Sequence, residues 1–140
     1  MALASAQVID AQAALLASAY PGKVFTSRLW PITGADVPCW RVVAFDETVT
    51  VSMLPGTNEH LLGITFTGYV RATADVDDAM HALAAGGLAA LFPATPVYGL
   101  QLNAIERQIV NEGEASLGSI TLRCTAQFFV TPQTPEVIFT

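Results

Sequence analysis

Ile64-Thr65-Phe66-Thr67-Gly68-Tyr69-Val70-Arg71 alternates large apolar with polar residues, and the chain then runs into Asp75-Val76-Asp77-Asp78. A period of two is the signature of a strand with one buried face. Ile64, Phe66 and Val70 take that face, Thr65, Thr67, Tyr69 and Arg71 the other, and Gly68 marks a bend or a close approach. The acidic run then opens a helix over 75–92. Asp75 suits the N-cap, and Asp77 and Asp78 fall in the first turn, where the helix dipole favours negative charge. Val76, Met80, Leu83 and Leu91 form its buried stripe. Each residue of Gly86-Gly87 costs a helix about 1 kcal/mol relative to alanine, so the pair predicts close packing against another element. A strand, a helix and two further strands define an α+β fold, a mostly antiparallel mixed sheet packed against two helices in a single domain.

Towards the N-terminus, Val8, Ala11, Leu15 and Ala19 share a helical stripe, which predicts a first helix over 2–19 ended by Tyr20-Pro21-Gly22. Val24–Leu29 reads as a short strand, and Trp30–Pro38 as an irregular connection held by two prolines. Cys39–Asp46 resumes the strand, and Thr48–Met53 alternates as a second, half-buried one. Leu54-Pro55-Gly56-Thr57-Asn58-Glu59-His60 is then a polar loop between two strands of an extended hairpin.

Beyond the second helix, Tyr98, Leu100, Leu102 and Ala104 alternate and the phase changes near Ile105, which predicts a bulge. Asn111-Glu112-Gly113-Glu114 makes a turn into the clearest strand, Ser116–Val130. The domain is placed at 1–130 and an extended C-terminal tail at 131–140.

Composition narrows the function. Of 140 residues, 52% are hydrophobic and the mean hydropathy is +0.47, an excess that suits burial between subunits. No apolar run reaches the roughly 20 residues that span a membrane, nor is there a signal-peptide pattern, so the expectation is a soluble protein without a membrane partner. A net charge of −6, with six bases scattered singly, disfavours binding to a phosphate backbone. An acidic surface is instead compatible with lining a passage through which DNA slides.

Chemical signals are few. Cys39 and Cys124 read as small buried hydrophobes, with no CxxC pair and no ligand cluster. His60 beside Glu59 reads as a solvated loop pair rather than a general base, and His81 as a helix-surface residue. A helix start accounts for Asp75, Asp77 and Asp78 better than a divalent-cation site, and Gly86-Gly87 sits inside a helix, where no phosphate loop belongs. No catalytic, cofactor-binding or metal residues are assigned, and the expectation is a protein that is not an enzyme. Trp30, Trp40 and Tyr69 can serve interfaces, with Trp40 better suited to the core. Residues proposed to meet partners are Trp30, Pro55, Asn58, Glu59, His60, Tyr69 and Arg71, and loop 54–60 and tail 131–140 are expected to touch neighbours.

The order of elements, "FTSRLWP" (25–31), "VPCWRVVAF" (37–45), "LLGITFTGYVRA" (61–72) and "DVDDAMHALA" (75–84), resembles the tail terminator family of long-tailed bacteriophages, the lambda-type minor tail protein U family. The resemblance covers almost the whole chain and rests on element order, length and the passage from strand-Arg-Ala into an Asp-x-x-Asp helix. It implies a virion structural protein without cofactor: a homo-hexameric ring on the head-proximal end of the tail tube that stops tube polymerisation and offers the head-attachment surface. Implied partners are further copies of the chain, the tail tube protein and a head-completion or connector protein, with DNA passing through unbound. Assembly would occur in the host cytoplasm. Other phage neck and tail-completion proteins share this size and character. Outside phages, the alternative is a small interaction or ligand-binding module.

Overall fold

The structure, a computed structural model, describes residues 3–26, 37–53, 55–72, 75–112 and 115–139. Its elements are α1 (Ala4–Ala19), β1 (Val24–Phe25), β2 (Cys39–Val51), β3 (Asn58–Ala72), α2 (Val76–Leu91), a 3₁₀ turn at Val97–Gly99, β4 (Gln101–Glu112), β5 (Ala115–Thr131) and β6 (Thr134–Phe139). The strands form one sheet in the order β1-β2-β3-β5-β4, with β6 added to the far end of β5. β1 runs parallel to β2, and every other pairing is antiparallel. The α+β reading is what the chain adopts, with two helices on one face of a mostly antiparallel mixed sheet.

The alternation in β3 decides which face they cover. Leu62, Ile64, Phe66 and Val70 are buried, and across the ladder they meet Ala126, Cys124, Leu122 and Gly118 of β5. Trp40 and Val42 extend this layer onto β2, and Val8 and Leu16 of α1 with Met80, Leu83 and Leu91 of α2 close it from above. Asp75 caps α2 by accepting a 3.2 Å hydrogen bond from the Asp78 backbone N–H. The Gly86-Gly87 pair lets α2 approach closely, because a Cβ on Gly87 would sit 2.5 Å from Trp40 Cζ2. The buried Gln12 side chain donates from Nε2 to Val97 O at 2.9 Å and ties α1 to the 3₁₀ turn.

The structure corrects several boundaries. The two strands read at 39–46 and 48–53 are one strand, β2, interrupted by a bulge between Ala44 and Asp46 that reverses the alternation and so looks like a break in the sequence. The bulge expected near Ile105 lies between Leu102 and Ala104. Tyr98, read as strand, occupies the turn at φ 53°, and β4 begins at Gln101. The segment 131–140, read as an extended tail, turns back at 132–133 and pairs with β5 as β6, with Val130 opposite Ile138. Pro135 is tolerated there because β6 lies on the sheet margin, where one backbone N–H need not enter a ladder.

Candidate assembly surfaces

β2 and β3 outrun the helix layer, and their far ends project as a hairpin. Ser52 and Thr57 close its turn, with 2.7 Å between their hydroxyls and a 3.2 Å bond from Ser52 N–H to Thr57 O, and Thr57 is buried. Pro55 is exposed at the tip beside Gly56, whose φ of 78° suits a glycine. Asn58, Glu59 and His60, read as loop, are the first residues of β3 and are half-buried. The polar residues hid the strand because it is held by ladders to β2 and β5 on either side rather than by an alternating apolar face of its own.

Being in a strand changes the partner of His60. Its neighbour Glu59 points to the opposite face, and His60 Nδ1 instead lies 2.5 Å from Glu47 Oε2 on β2. The imidazole stacks on Phe128 with ring centroids 5.0 Å apart. Leu3, Ala4 and Ser5 at the start of α1 line the same small hollow. The arrangement fastens the base of the hairpin to the helix layer.

The hairpin carries apolar side chains that the described residues leave largely exposed. Val49 is 50% exposed, Val51 90% and Met53 fully so. On the opposite margin β4 presents a second stripe, Leu102, Ile105 and Ile109, with Arg107 between the isoleucines, all on the helix side of the sheet beyond the reach of α2. Both margins have free edges among the described residues. Among the described residues β4 pairs only with β5, and β2 beyond Arg41 pairs only with β3. Sequence alternation read 48–53 as a half-buried strand and the stretch around Ile105 as a strand past a bulge, and only the hydrophobic excess hinted that these residues face outward.

No described helix lies on the other face of the sheet, which is rich in hydroxyl and amide groups. Thr67 and Thr121 bond at 3.2 Å, Asn103 Nδ2 donates to Thr125 at 2.6 Å, and Arg123 Nε donates to Glu106 Oε1 at 2.7 Å. The Arg123 guanidinium also lies 5.6 Å from the ring centre of Phe45, the bulge residue, which covers Gly63. The acidic residues of this face, Asp46, Glu59 and Glu106, share it with Arg41 and Arg123, so it is mixed in charge.

Of the other interface candidates, half-buried Tyr69 borders a hollow on this face with Gln108, Leu117 and Ser119. Exposed Arg71 stands at the rim of a 370 Å³ groove lined by Tyr20, Val37, Pro38, Val70 and three α2 residues, Ala79, Ala82 and Leu83. Trp30 lies outside the described residues. The candidates therefore do not converge on one site.

The chemistry is sparse. Among the described residues no three His, Cys, Asp or Glu side chains gather as metal ligands, and no helix is long and apolar enough to cross a membrane. Cys39 and Cys124 are both buried, and burial pushes the Cys124 thiol up to about 12. Asp78 is raised from the usual carboxylate range by its hydrogen bond with Asp75 and then by the charge of that neighbour.

No protein-family model matches the chain, and no curated protein does. Among solved structures the chain is similar to one from the virion of a native gene transfer agent particle, at 18% identity and a TM-score of 0.48, over 89% of this chain and 92% of that one. A likeness at this level transfers nothing from that particle to this chain.

Proposed function

We propose that this chain is a structural protein of a tailed-phage virion, a tail terminator whose copies join head to tail into a ring on the end of the tail tube. One observation carries the reading: two unlike apolar surfaces, the β2 hairpin and the β4 stripe, lie at opposite margins of one sheet. A two-fold dimer uses one patch twice, whereas two different patches make a heterologous contact that closes into a ring when the rotation permits. The element order that resembles tail terminators supports the same role, and the family's six-fold ring is the expected stoichiometry. Such a ring works by shape, covering the last layer of tube protein and presenting its outer rim to a head-completion or connector protein, while DNA passes through.

Light scattering of the purified protein across a range of concentrations tests the ring, with a hexamer the expected result. Adding the protein to polymerising tube protein from the same virion tests termination. Tubes should stop growing and carry one ring at one end in electron micrographs. A persistent monomer that leaves tube length unchanged overturns the reading.

A further inference from the structure

We infer that the ring is held by strand pairing between copies: the free edge of β2 in one copy adds, antiparallel, to the free edge of β4 in the next. The inference rests on the head-to-tail ring and names its interface.

Strand direction permits it. β2, β3, β5 and β4 alternate in direction, so the two outer strands of this four-strand unit run opposite ways. A neighbour related by rotation, in the same orientation, therefore brings its β2 antiparallel to β4, and every junction around the ring is alike. Exposed edges of this length are otherwise a liability for uncontrolled pairing, which closure removes.

Side-chain parity and charge select the register. Past its bulge β2 presents Glu47, Val49 and Val51 on the helix side of the sheet, in the faces set by Leu62, His60 and Asn58. β4 presents Ile105, Arg107 and Ile109 on that same side, opposite Leu122, Ile120 and Gly118. Placing Glu47 of one copy opposite Arg107 of the next sets Val49 opposite Ile105, an acid on a base beside an apolar pair. Within one copy Glu47 is level with Ala126 and Arg107 with Ile120, so this register staggers successive copies along the strands. Closing a sheet on itself requires such a stagger. Because the helices thicken one side, they occupy the longer outer circumference. The hydroxyl-rich face, with Thr65, Thr67, Thr121 and Thr125, then lines the opening.

A double variant, Val49→Cys with Ile105→Cys, treated with a short bifunctional maleimide, tests the register. Both sites are exposed, so the fold should survive, and an unchanged thermal melt checks it. The expected result is a ladder of covalent oligomers ending at ring size, absent from either single variant. It should also be absent from Val49→Cys with Ile109→Cys, whose second thiol is about 13 Å further along the strand. As a second measurement, Glu47→Arg and Arg107→Glu should each cut ring yield at least tenfold and together restore it, read on protein whose thermal melt shows that the fold survives loss of the contact between Glu47 and His60. A ring seen by light scattering without the ladder or the rescue overturns strand pairing and leaves the ring standing. A protein that remains monomeric at every concentration overturns both.

Discussion

The indole of Trp40 lies against the backbone of Gly87, with no room between them for a methyl group. Tyr20 completes the stack, its ring centre 6.0 Å from that of Trp40, and its hydroxyl donates to Leu83 O at 3.2 Å beside Gly86. Gly87→Ala gains about 1 kcal/mol of helix propensity but forces a fully buried ring to move, at a cost of about 1–3 kcal/mol. We expect a lower midpoint of urea unfolding for Gly87→Ala. Gly86→Ala should be milder, because the added methyl displaces the Tyr20 hydroxyl from Leu83 O, a loss of about 1 kcal/mol that the gained helix propensity offsets.

Heterologous contacts make a distinctive prediction about mixtures. Val49→Asp with Val51→Asp blocks the hairpin surface, and Ile105→Asp with Ile109→Asp blocks the β4 stripe, so that the two spoiled surfaces set like charges opposite each other. The four positions are at least partly exposed, so each variant should fold, at a cost of about 1–3 kcal/mol in lost apolar burial and strand propensity, and fail to form rings. Mixed together they should form a one-to-one dimer through the intact pair of surfaces and go no further. Analytical ultracentrifugation checks this, and two unmixed monomers would be the contrary result.

The hairpin turn is structural as well as exposed. Removing residues 55–59 takes away Thr57 and its bonds to Ser52 and withdraws Asn58 and Glu59 from the ladder with β5. Re-pairing by an odd number of residues would turn every side chain of the strand over. The deletion should lower the melting temperature and raise aggregation, whereas Pro55→Ala should leave both within error. Differential scanning calorimetry with light scattering distinguishes these outcomes.

Alkaline stability should report on Cys124. Burial pushes this thiol up from 9.0 to about 12, so above pH 9 the unfolded chain releases a proton that the folded chain keeps. Stability is therefore untouched by this group below about pH 8 and falls as pH rises from about 9 towards about 12. Cys124→Ala should flatten that slope relative to the parent in urea titrations at pH 8, 9 and 10, after allowing for a smaller stability at every pH from the lost sulfur.

Local pattern carried much of the fold. The alternation through Ile64, Phe66 and Val70 and the run from Ile120 to Val130 fall where short-range rules place them, because each faces a continuous core and its period is set by burial, and the Asp75 cap follows from the unpaired N–H groups of the helix start. The errors cluster where that core ends. At Phe45 and Asn103 an extra residue in one strand reversed the alternation, and such a bulge is satisfied by a partner strand far away in sequence. At Asn58–His60 polar residues sit in a strand because β2 and β5 pair with it on either side.

By itself the sequence determined the class of fold, both helices, the cap, the close approach at Gly86-Gly87 and the hydrophobic excess, since all of these follow from local spacing and composition. Only the tertiary structure decided that Val49, Val51, Leu102, Ile105 and Ile109 face outward at opposite margins and that His60 belongs to Glu47. An apolar residue in a strand reads the same whether a helix covers it or not. Which ones are covered depends on the length of α1 and α2 relative to the sheet and on the order in which the strands are laid side by side.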